Sequence, residues 1–516
     1  MKEIKRAIIS VSDKTNLLEF ARELKNKGVE IYSTGGTLRA LKEADIEAIS
    51  IGSYTGFPEI LDGRVKTLHP KVHGGILAKR DNESHVESLT EHAILTFDLV
   101  CINLYPFEEV IRKEDFSFEE AIENIDIGGP SMIRAAAKNY KDVAVVVDSS
   151  QYDEIIKRLN ENSGALAEEY RFQLSVEAFA RTSAYDSVIS QYLYGLQGDK
   201  FPDKFSLAMK KHQPLRYGEN PHQGGAFFVP VMTNKMPWMQ LHGKELSYNN
   251  FLDLDSAIAV AKDFTGPVCA IFKHTNPCGI SFGKSQLENL KRAIQTDPVS
   301  FFGGIVSFND KVTLDTAELL NQHFFEIIVA PDYDDDALDV LKKKKNLRLI
   351  RIPNLKEINL PNIEIKNSCF GFLLQESDQK VVNEEEIKIV TQKKPDKEQL
   401  EELLFAFQTV KYIKSNAVVF SKDKHTLAIG AGQMSRLDSI NIAVKKAKDA
   451  GLSLEGSCLA SEAFFPFRDA VDMAIEAGAN AVIQPGGSIN DEESIKAADE
   501  AGIIMAFTGI RHFRHG

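Results

Sequence analysis

Within the first 45 residues the order strand, tight loop, helix occurs twice. RAIISV (6–11) is a short β-branched run followed by SDKT, and TNLLEFARELKNKG then carries Leu17, Leu18, Ala21 and Leu24 near helical spacing, with Gly28 as a stop. VEIYSTGGTLRALKEAD repeats the order, with a strand over 29–32, the loop STGGT and a helix from about residue 37. Two consecutive units of this kind predict an α/β domain built on a parallel sheet with crossover helices. In such sheets ligands sit at the carboxyl ends of the strands, and both SDKT and STGGT fall there.

The STGGT loop suits an anion. Gly35 and Gly36 let the backbone approach a ligand, and Thr34 or Thr37 is placed to cap the helix that follows, leaving N–H groups directed outward. Ser10, Ser12 and Lys14 end the neighbouring strand and Ser33 opens the loop, so hydroxyls, an ammonium and N–H groups converge. No G-x-G-x-x-G stands here, so the pattern fits a phosphate monoester better than a dinucleotide.

A second cationic stretch follows. LDGRVKTLHPKVHGG (61–75) holds Arg64, Lys66, His69, Lys71 and His73, with Lys79 just beyond. Pro70 and the pair Gly74-Gly75 read against a helix, so a loop is expected. The chain is otherwise acidic, with a formal net charge of −13, which disfavours nucleic acid or an anionic membrane surface as partner. A local basic loop can still hold a small anion. LVCINLYPF reads as a buried strand ending in Asn103 and Tyr105, and ENIDIGGPSMIRAAAKN sets Asp126 before Gly128-Gly129 and a helix with Arg134 and Lys138. Taken singly, Tyr105 is a half-buried core tyrosine and Asp126 a helix N-cap. Taken together they add Lys, Tyr and Asp groups of different acidity to a phosphate cradle.

Over 516 residues, 43% apolar and 26% charged, the composition is that of an ordinary globular chain of about three domains of ~150 residues. No window approaches the ~18 uncharged apolar residues of a membrane helix. Five cysteines, odd in number and without a C-x-x-C pair, argue against a disulfide framework or a structural zinc site and for a cytoplasmic protein with reduced thiols.

Residues 140–200 read as helical, with Phe172, Leu174, Ala178 and Phe179 at core spacing, and YLYGLQGDKFPDKFSLAMKKHQ as a linker. LRYGENPHQ then offers Arg216 and Tyr217 in a Pro- and Gly-rich loop. VCAIF is a buried strand ending in Lys273-His274; an imidazole titrates near neutral pH and an ammonium stabilises developing negative charge, so the pair is a general acid/base candidate. A helix, strands over 417–420 and 426–430, and GAGQMSR follow; Ser435 stands where a dinucleotide fingerprint needs its third glycine, and the loop with Arg436 suits a phosphate instead.

SVSDKT, STGGT, GRVKTLHPKVHGG, NLYPF and IDIGGPSMIRAAAKN, in that order, resemble the IMP cyclohydrolase domain of the bifunctional purine-biosynthesis family. LRYGENPHQ, FKHTNPCG, SNAVVF, GAGQMSR, FFPFRD and IRHF resemble its AICAR formyltransferase domain, so the resemblance spans nearly the whole chain. It implies a methylglyoxal-synthase-like core over 1–146, a helical extension and linker over 147–198, and a formyltransferase region of two cytidine-deaminase-like subdomains over 199–375 and 376–516. It implies formyl transfer from 10-formyltetrahydrofolate to AICAR, then cyclisation of formyl-AICAR to IMP, in a homodimer whose formyltransferase site lies between subunits.

By resemblance Lys66, Tyr105, Asp126 and Lys138 serve ring closure, and Lys273 and His274 formyl transfer. Ser10, Ser12, Lys14, Ser33, Thr34, Gly35, Gly36, Thr37, Arg64, Thr67, Asn103 and Gly128 are implied contacts of the first nucleotide. Arg216, Tyr217, Arg436 and Arg511 are those of the second, Asn416 is implied to position the amide, and Phe465 and Pro466 line the folate or base pocket. His69 reads as a loop-ordering residue, and His73 is given no role. A cytidine deaminase would need H-x-E and P-C-x-x-C for zinc; here Pro277-Cys278 is followed by Gly279 and no second cysteine, so no catalytic metal is expected. A sensor module binding a phosphorylated metabolite would not need the Lys66, Tyr105, Asp126 trio, and a nicotinamide oxidoreductase would need the missing glycines.

Overall fold

The computed structural model describes residues 1–359 and 361–515. The chain divides into two compact units, one of residues 1–210 with 229–234, the other of residues 211–228 with the chain from 235 onward.

In the first unit, strands β1 (Arg6–Val11), β2 (Glu30–Ser33), β3 (Ile49–Ser50), β4 (Leu99–Asn103) and β5 (Ala144–Val146) form one sheet in the order β3-β2-β1-β4-β5. Every pairing is parallel, as the two crossover units require. The central strands are unbroken apolar runs because both faces are covered: Ala7, Ile8, Ile9, Leu99, Val100 and Cys101 are all buried. Helices α1 (Leu17–Asn26) and α2 (Gly35–Glu43) supply the crossovers. Their carboxyl-end loops, 12–16 and 33–36, lie side by side because β1 and β2 are neighbours.

Four local expectations are corrected. The stretch read as a loop forms helix α3 (Pro70–Leu77). Pro70 occupies its first turn, where a missing N–H leaves nothing unsatisfied, and the His69 ring accepts the Lys71 N–H at 3.1 Å as N-cap. Gly75 is there for packing: a β-carbon on it would stand 2.1 Å from the Leu95 carbonyl oxygen. Residues 140–200 are not uniformly helical, since β5 and a short strand at Ala165–Leu166 interrupt them. After α4 (Gly128–Lys138) and a helix at Tyr152–Glu161 comes the long helix α5 (Glu168–Gln197), whose last turns are completed by residues 192–197, read as linker. Leu174 and Ala178 on α5 are buried, whereas Phe172 and Phe179 are exposed and cover Tyr140 and the Arg134 guanidinium.

The second unit is a duplicated fold. Its first half runs β6 (Met239–His242), α6 (Tyr248–Asp263), β7 (Val268–Lys273), β8 (Asn276–Phe282), α7 (Gln286–Thr296), β9 (Ile305–Phe308), α8 (Leu314–Gln322), β10 (Ile327–Ala330), α9 (Asp335–Leu341) and β11 (Arg348–Arg351). Its second half runs β12 (Lys388–Ile389), α10 (Lys397–Val410), β13 (Val418–Lys422), β14 (His425–Gly430), α11 (Arg436–Asp449), β15 (Ser457–Ser461), α12 (Asp469–Glu476), β16 (Ala479–Gln484), α13 (Asp491–Glu500) and β17 (Ile504–Phe507). All these strands join one sheet, β6-β11-β10-β9-β7-β8-β14-β13-β15-β16-β17-β12, with the halves meeting where Ser281 on β8 pairs with His425 on β14. Read from that seam outward, each half is an antiparallel hairpin, an antiparallel step, parallel strands and a last antiparallel edge strand. This is the expected pair of α/β subdomains.

Among the described residues no helix is long and apolar enough to cross a membrane.

Two candidate active sites

The carboxyl ends of β1, β2 and β4 open onto a cavity of about 570 Å³. Ser10, Ser12, Lys14, Thr34, Gly35, Gly36, Thr37, Arg64, Lys66, Thr67, Asn103, Tyr105, Asp126 and Gly128 all line it. Val11, Ile102, Ile125 and Met132 add an apolar wall that suits a planar ring.

The glycine pair is where the cations meet. Gly35 has φ +46, a left-handed conformation that L side chains rarely adopt. A β-carbon there would lie 3.5 Å from the Lys66 Nζ, and one on Gly36 would lie 3.8 Å from the Lys14 Nζ. Two ammonium groups thus hang over the first turn of α2. Neither threonine caps that helix through its side chain. Thr37 instead exchanges two 2.9 Å hydrogen bonds with the N–H and carbonyl of Val11, and Ser33, fully buried, donates to the Ile9 carbonyl at 2.7 Å. These two residues fasten loop to strand, leaving the N–H groups of the first turn unpaired by side chains, as an anion site requires. Ser33 is therefore beneath the cavity, not on its surface.

Asn103 also holds the loop. Its Oδ1 accepts the N–H groups of Ser12 and Asp13 at 2.5 and 3.1 Å, and its Nδ2 donates to the Asp13 carbonyl at 2.8 Å. Opposite, the Asp126 carboxylate accepts the Gly129 N–H at 2.8 Å and the Tyr105 N–H at 3.4 Å. Ile127, not Asp126, is the N-cap residue of α4; Asp126 stands one residue earlier, holds the first turn through its side chain and is at the same time a wall of the cavity. Burial pushes its pKa up, against the pull of those two N–H groups and of nearby Lys66. The turn carrying it is pinned from α5: the buried Tyr185 hydroxyl accepts the Asp126 N–H at 2.9 Å and donates to the Asn124 carbonyl at 3.0 Å. Arg64 pairs with Glu123 through its Nε at 3.1 Å. Lys66 Nζ lies 3.7 Å from the Glu59 carboxylate. Glu123 and Tyr185 were not apparent in the sequence; Glu123 sits just before the IDIGG turn, but Tyr185 has no local signal. Lys138 is not brought here: it is exposed at the far end of α4, whose N-terminus lines the cavity.

In the second unit, Lys273 closes β7 and His274-Thr275 form the two-residue turn to β8. Both turn residues have positive φ, +53 and +60, the type I′ signature that normally calls for Asn or Gly. For His and β-branched Thr this stores roughly 1–3 kcal/mol of strain each. The turn leaves His274 exposed. The Lys273 ammonium donates to the Phe302 carbonyl at 2.8 Å. The Asn276 Oδ1 accepts the Lys414 N–H at 3.0 Å, tying the turn to the loop that carries Asn416.

Asn416 and Arg436 are brought together, though facing inward. Arg436, 8% exposed, pairs with the fully buried Glu462 and donates to the Ser461 hydroxyl at 2.7 Å and the Ala417 carbonyl at 3.2 Å. Its other nitrogen donates to the Asn416 Oδ1 at 3.0 Å, while the Asn416 amide donates to the carbonyls of Gln433 and Met434 at 3.0 Å each. The guanidinium read as a phosphate contact is thus an internal clamp on the GAGQMSR loop. Phe465 is likewise core, with Phe464, Pro466 and Phe467 left outside. Arg216 and Arg511 are exposed, resting over Tyr217 and Phe513. Cys278 is buried and its thiol is pushed up to about 12, the opposite of a metal-ligating thiolate. Among the described residues no three His, Cys, Asp or Glu side chains are grouped to hold a metal.

A family model described as MGS-like domain matches residues 16–131, and one described as AICARFT/IMPCHase bienzyme matches residues 136–446. The chain is 50% identical to the bifunctional purine biosynthesis protein PurH of Caldicellulosiruptor saccharolyticus, over 99% of this chain and 100% of that one. It is 49% identical to PurH of Bacillus subtilis over 99% and 100%, and 48% identical to PurH of Neisseria gonorrhoeae over 100% of both. With the family model matched over residues 136–446 and kinship over the full length of these relatives, the chain belongs to the AICARFT/IMPCHase family of bifunctional purine biosynthesis enzymes.

Proposed function

We propose that the cavity of the first unit carries out ring closure of formyl-AICAR to IMP and that the Lys273-His274 turn of the second carries out formyl transfer from 10-formyltetrahydrofolate to AICAR. The convergence of Lys66, Tyr105 and Asp126 on the same cavity as the phosphate loop carries the reading. The 5′-phosphate is held by the first-turn N–H groups of α2, the hydroxyls of Ser10, Ser12 and Thr34, and Lys14. The imidazole lies against the apolar wall. Lys66 polarises the formyl oxygen as the carboxamide nitrogen attacks the formyl carbon, and Asp126 takes the proton from that nitrogen. The formyl oxygen leaves as water, with Tyr105 at hand for the second proton.

At the other site His274 removes the proton from the 5-amine as it attacks the formyl carbon of the folate. Lys273 stabilises the oxyanion and then protonates the departing folate nitrogen. Exposed Arg216 and Arg511, with half-buried Tyr217, are the groups left to receive the nucleotide, and Asn416 and Arg436 order the loop beside the turn. No step is assigned to a metal. The reading includes a homodimer and, from five free cysteines of which four are buried, a reducing cytoplasmic setting.

The test separates the sites. His274→Ala should lower formyl transfer by on the order of 10²–10⁴ and still cyclise supplied formyl-AICAR. Lys66→Ala should stop cyclisation and leave transfer, measured as deformylation of formyl-AICAR onto tetrahydrofolate so that product drainage does not confuse the result. Loss of both activities from either substitution in a folded protein would show a single shared site.

A further inference from the structure

The two halves of the second unit contain the same turn twice. Lys273-His274-Thr275-Asn276 links β7 to β8, and Lys422-Asp423-Lys424-His425 links β13 to β14. Both are two-residue turns with positive φ at each central residue: +53 and +60 in the first, +51 and +55 in the second. Both hairpins shift register at the same place, between Ile271 and Phe272 and between Phe420 and Ser421, two residues before the terminal lysine of the strand. Both turns are held from the helix that precedes the hairpin. The Asp253 Oδ1 on α6 accepts the Thr275 N–H at 2.5 Å, and the Glu402 Oε2 on α10 accepts the Lys424 N–H at 2.7 Å. The sequence separation is 22 residues in each.

The copies differ in what the turn presents. The second turn is closed: Lys424 pairs with Glu401, and Glu402 also accepts the Ser421 hydroxyl at 2.6 Å. The first presents exposed His274, with Lys273 beside it and Asn276 tied to the Asn416 loop. A left-handed conformation at His and Thr relaxes unless something holds it, and the carboxylate that holds it is Asp253.

We infer that Asp253 is a positioning residue for formyl transfer: it fixes the strained turn so that His274 meets the substrate amine, while Glu402 is its purely structural counterpart. This rests on the assignment of formyl transfer to His274. The duplication supplies its own control. Asp253→Ala should lower kcat for formyl transfer on the order of 10–100-fold, as a displaced catalytic group does, with the KM for AICAR within about twofold if binding is untouched. Cyclisation of formyl-AICAR should be unchanged. Glu402→Ala removes the equivalent bond and should lower the melting temperature at least as much while leaving kcat in place. Asp253→Asn keeps an oxygen acceptor and should restore kcat.

Equal loss of kcat in Glu402→Ala, or an unchanged kcat in Asp253→Ala, overturns the inference. If Asp253→Ala does not fold, Asp253→Asn decides: a wild-type rate supports positioning, and a folded protein with a collapsed rate shows that the carboxylate charge acts in the chemistry itself. Should His274→Ala retain formyl transfer, the assignment beneath the inference fails, and that result is distinct from any outcome at Asp253.

Discussion

Asp126 does two jobs that pull its acidity in opposite directions. In holding the first turn of α4 it benefits from being ionised, since its carboxylate accepts the Gly129 N–H. As a wall of the cavity it is desolvated, and the desolvation wins, raising its pKa above the ordinary 3.8. A proton acceptor for ring closure gains from this, because a raised pKa makes the carboxylate more basic. Stability moves the other way. A carboxyl group with a raised folded pKa contributes stability fully present below its unfolded pKa and lost as pH rises through its folded pKa. Asp126→Asn removes that dependence while keeping an oxygen for the Gly129 N–H. The melting temperature of the variant relative to wild type should therefore rise as pH is taken from below 4 towards neutrality, while cyclisation is lost and formyl transfer remains. A difference that is flat or falls with pH would show that the capping interaction outweighs the burial. At this scale the sequence conveyed residue types but not direction. Ser33 and Arg436 were legible as polar groups in ligand-like loops, but their hydrogen bonds to Ile9 and Glu462 come from pairings 24 and 26 residues apart that no local pattern encodes.

Elements were more legible, because a strand covered on both faces must be apolar throughout and a helix must carry its apolar stripe. β1 was read at its observed bounds, and β2, β13 and β14 to within about a residue or two at each end, as is usual for such boundaries. At α3 the breaker signals mislead, since proline breaks a helix only beyond its first turn and a helical glycine costs no more than about 1 kcal/mol. Here Pro70 is in the first turn, and the glycines face different neighbours. A β-carbon on Gly75 would meet the Leu95 carbonyl oxygen at 2.1 Å, backbone that cannot step aside. One on Gly74 would meet the Ile94 Cδ1 at 3.2 Å, the end of a flexible side chain. Replacing helical Gly by Ala is worth about 0.5–1 kcal/mol in favour of Ala, whereas overpacking costs about 1–3 kcal/mol. Gly75→Ala should thus destabilise the first unit by about 1–3 kcal/mol in urea unfolding, and Gly74→Ala should be neutral or stabilising. Like signs for the two would mean that α3 does not pack on the 94–97 segment as described.

At the scale of the whole molecule the two sites differ in enclosure. The groups proposed for ring closure line a cavity that the first unit forms from its own residues, whereas His274 stands exposed on a turn. Formyl transfer needs water kept from a reactive formyl group, so a site of that kind asks for more protein around it. The hairpin of Ile363–Ser368 and Gly371–Glu376 leaves Phe370, Phe372 and Leu373 at 101%, 69% and 65% exposure. These exposed apolar side chains, on both faces of the hairpin, are the ones assigned to contact with the second copy of the proposed homodimer. If so, the activities should respond differently to dissociation. Diluting the enzyme through its dimer dissociation constant, followed by analytical ultracentrifugation, should extinguish formyl transfer in step with the loss of dimer and leave cyclisation per chain unchanged. Phe372→Glu combined with Leu373→Glu should reproduce that split at concentrations where the wild type is dimeric, because two buried, unpaired carboxylates are incompatible with a packed interface. Monomers that retain full formyl transfer would show that one chain builds both sites alone. A double variant that remains dimeric would place the interface elsewhere.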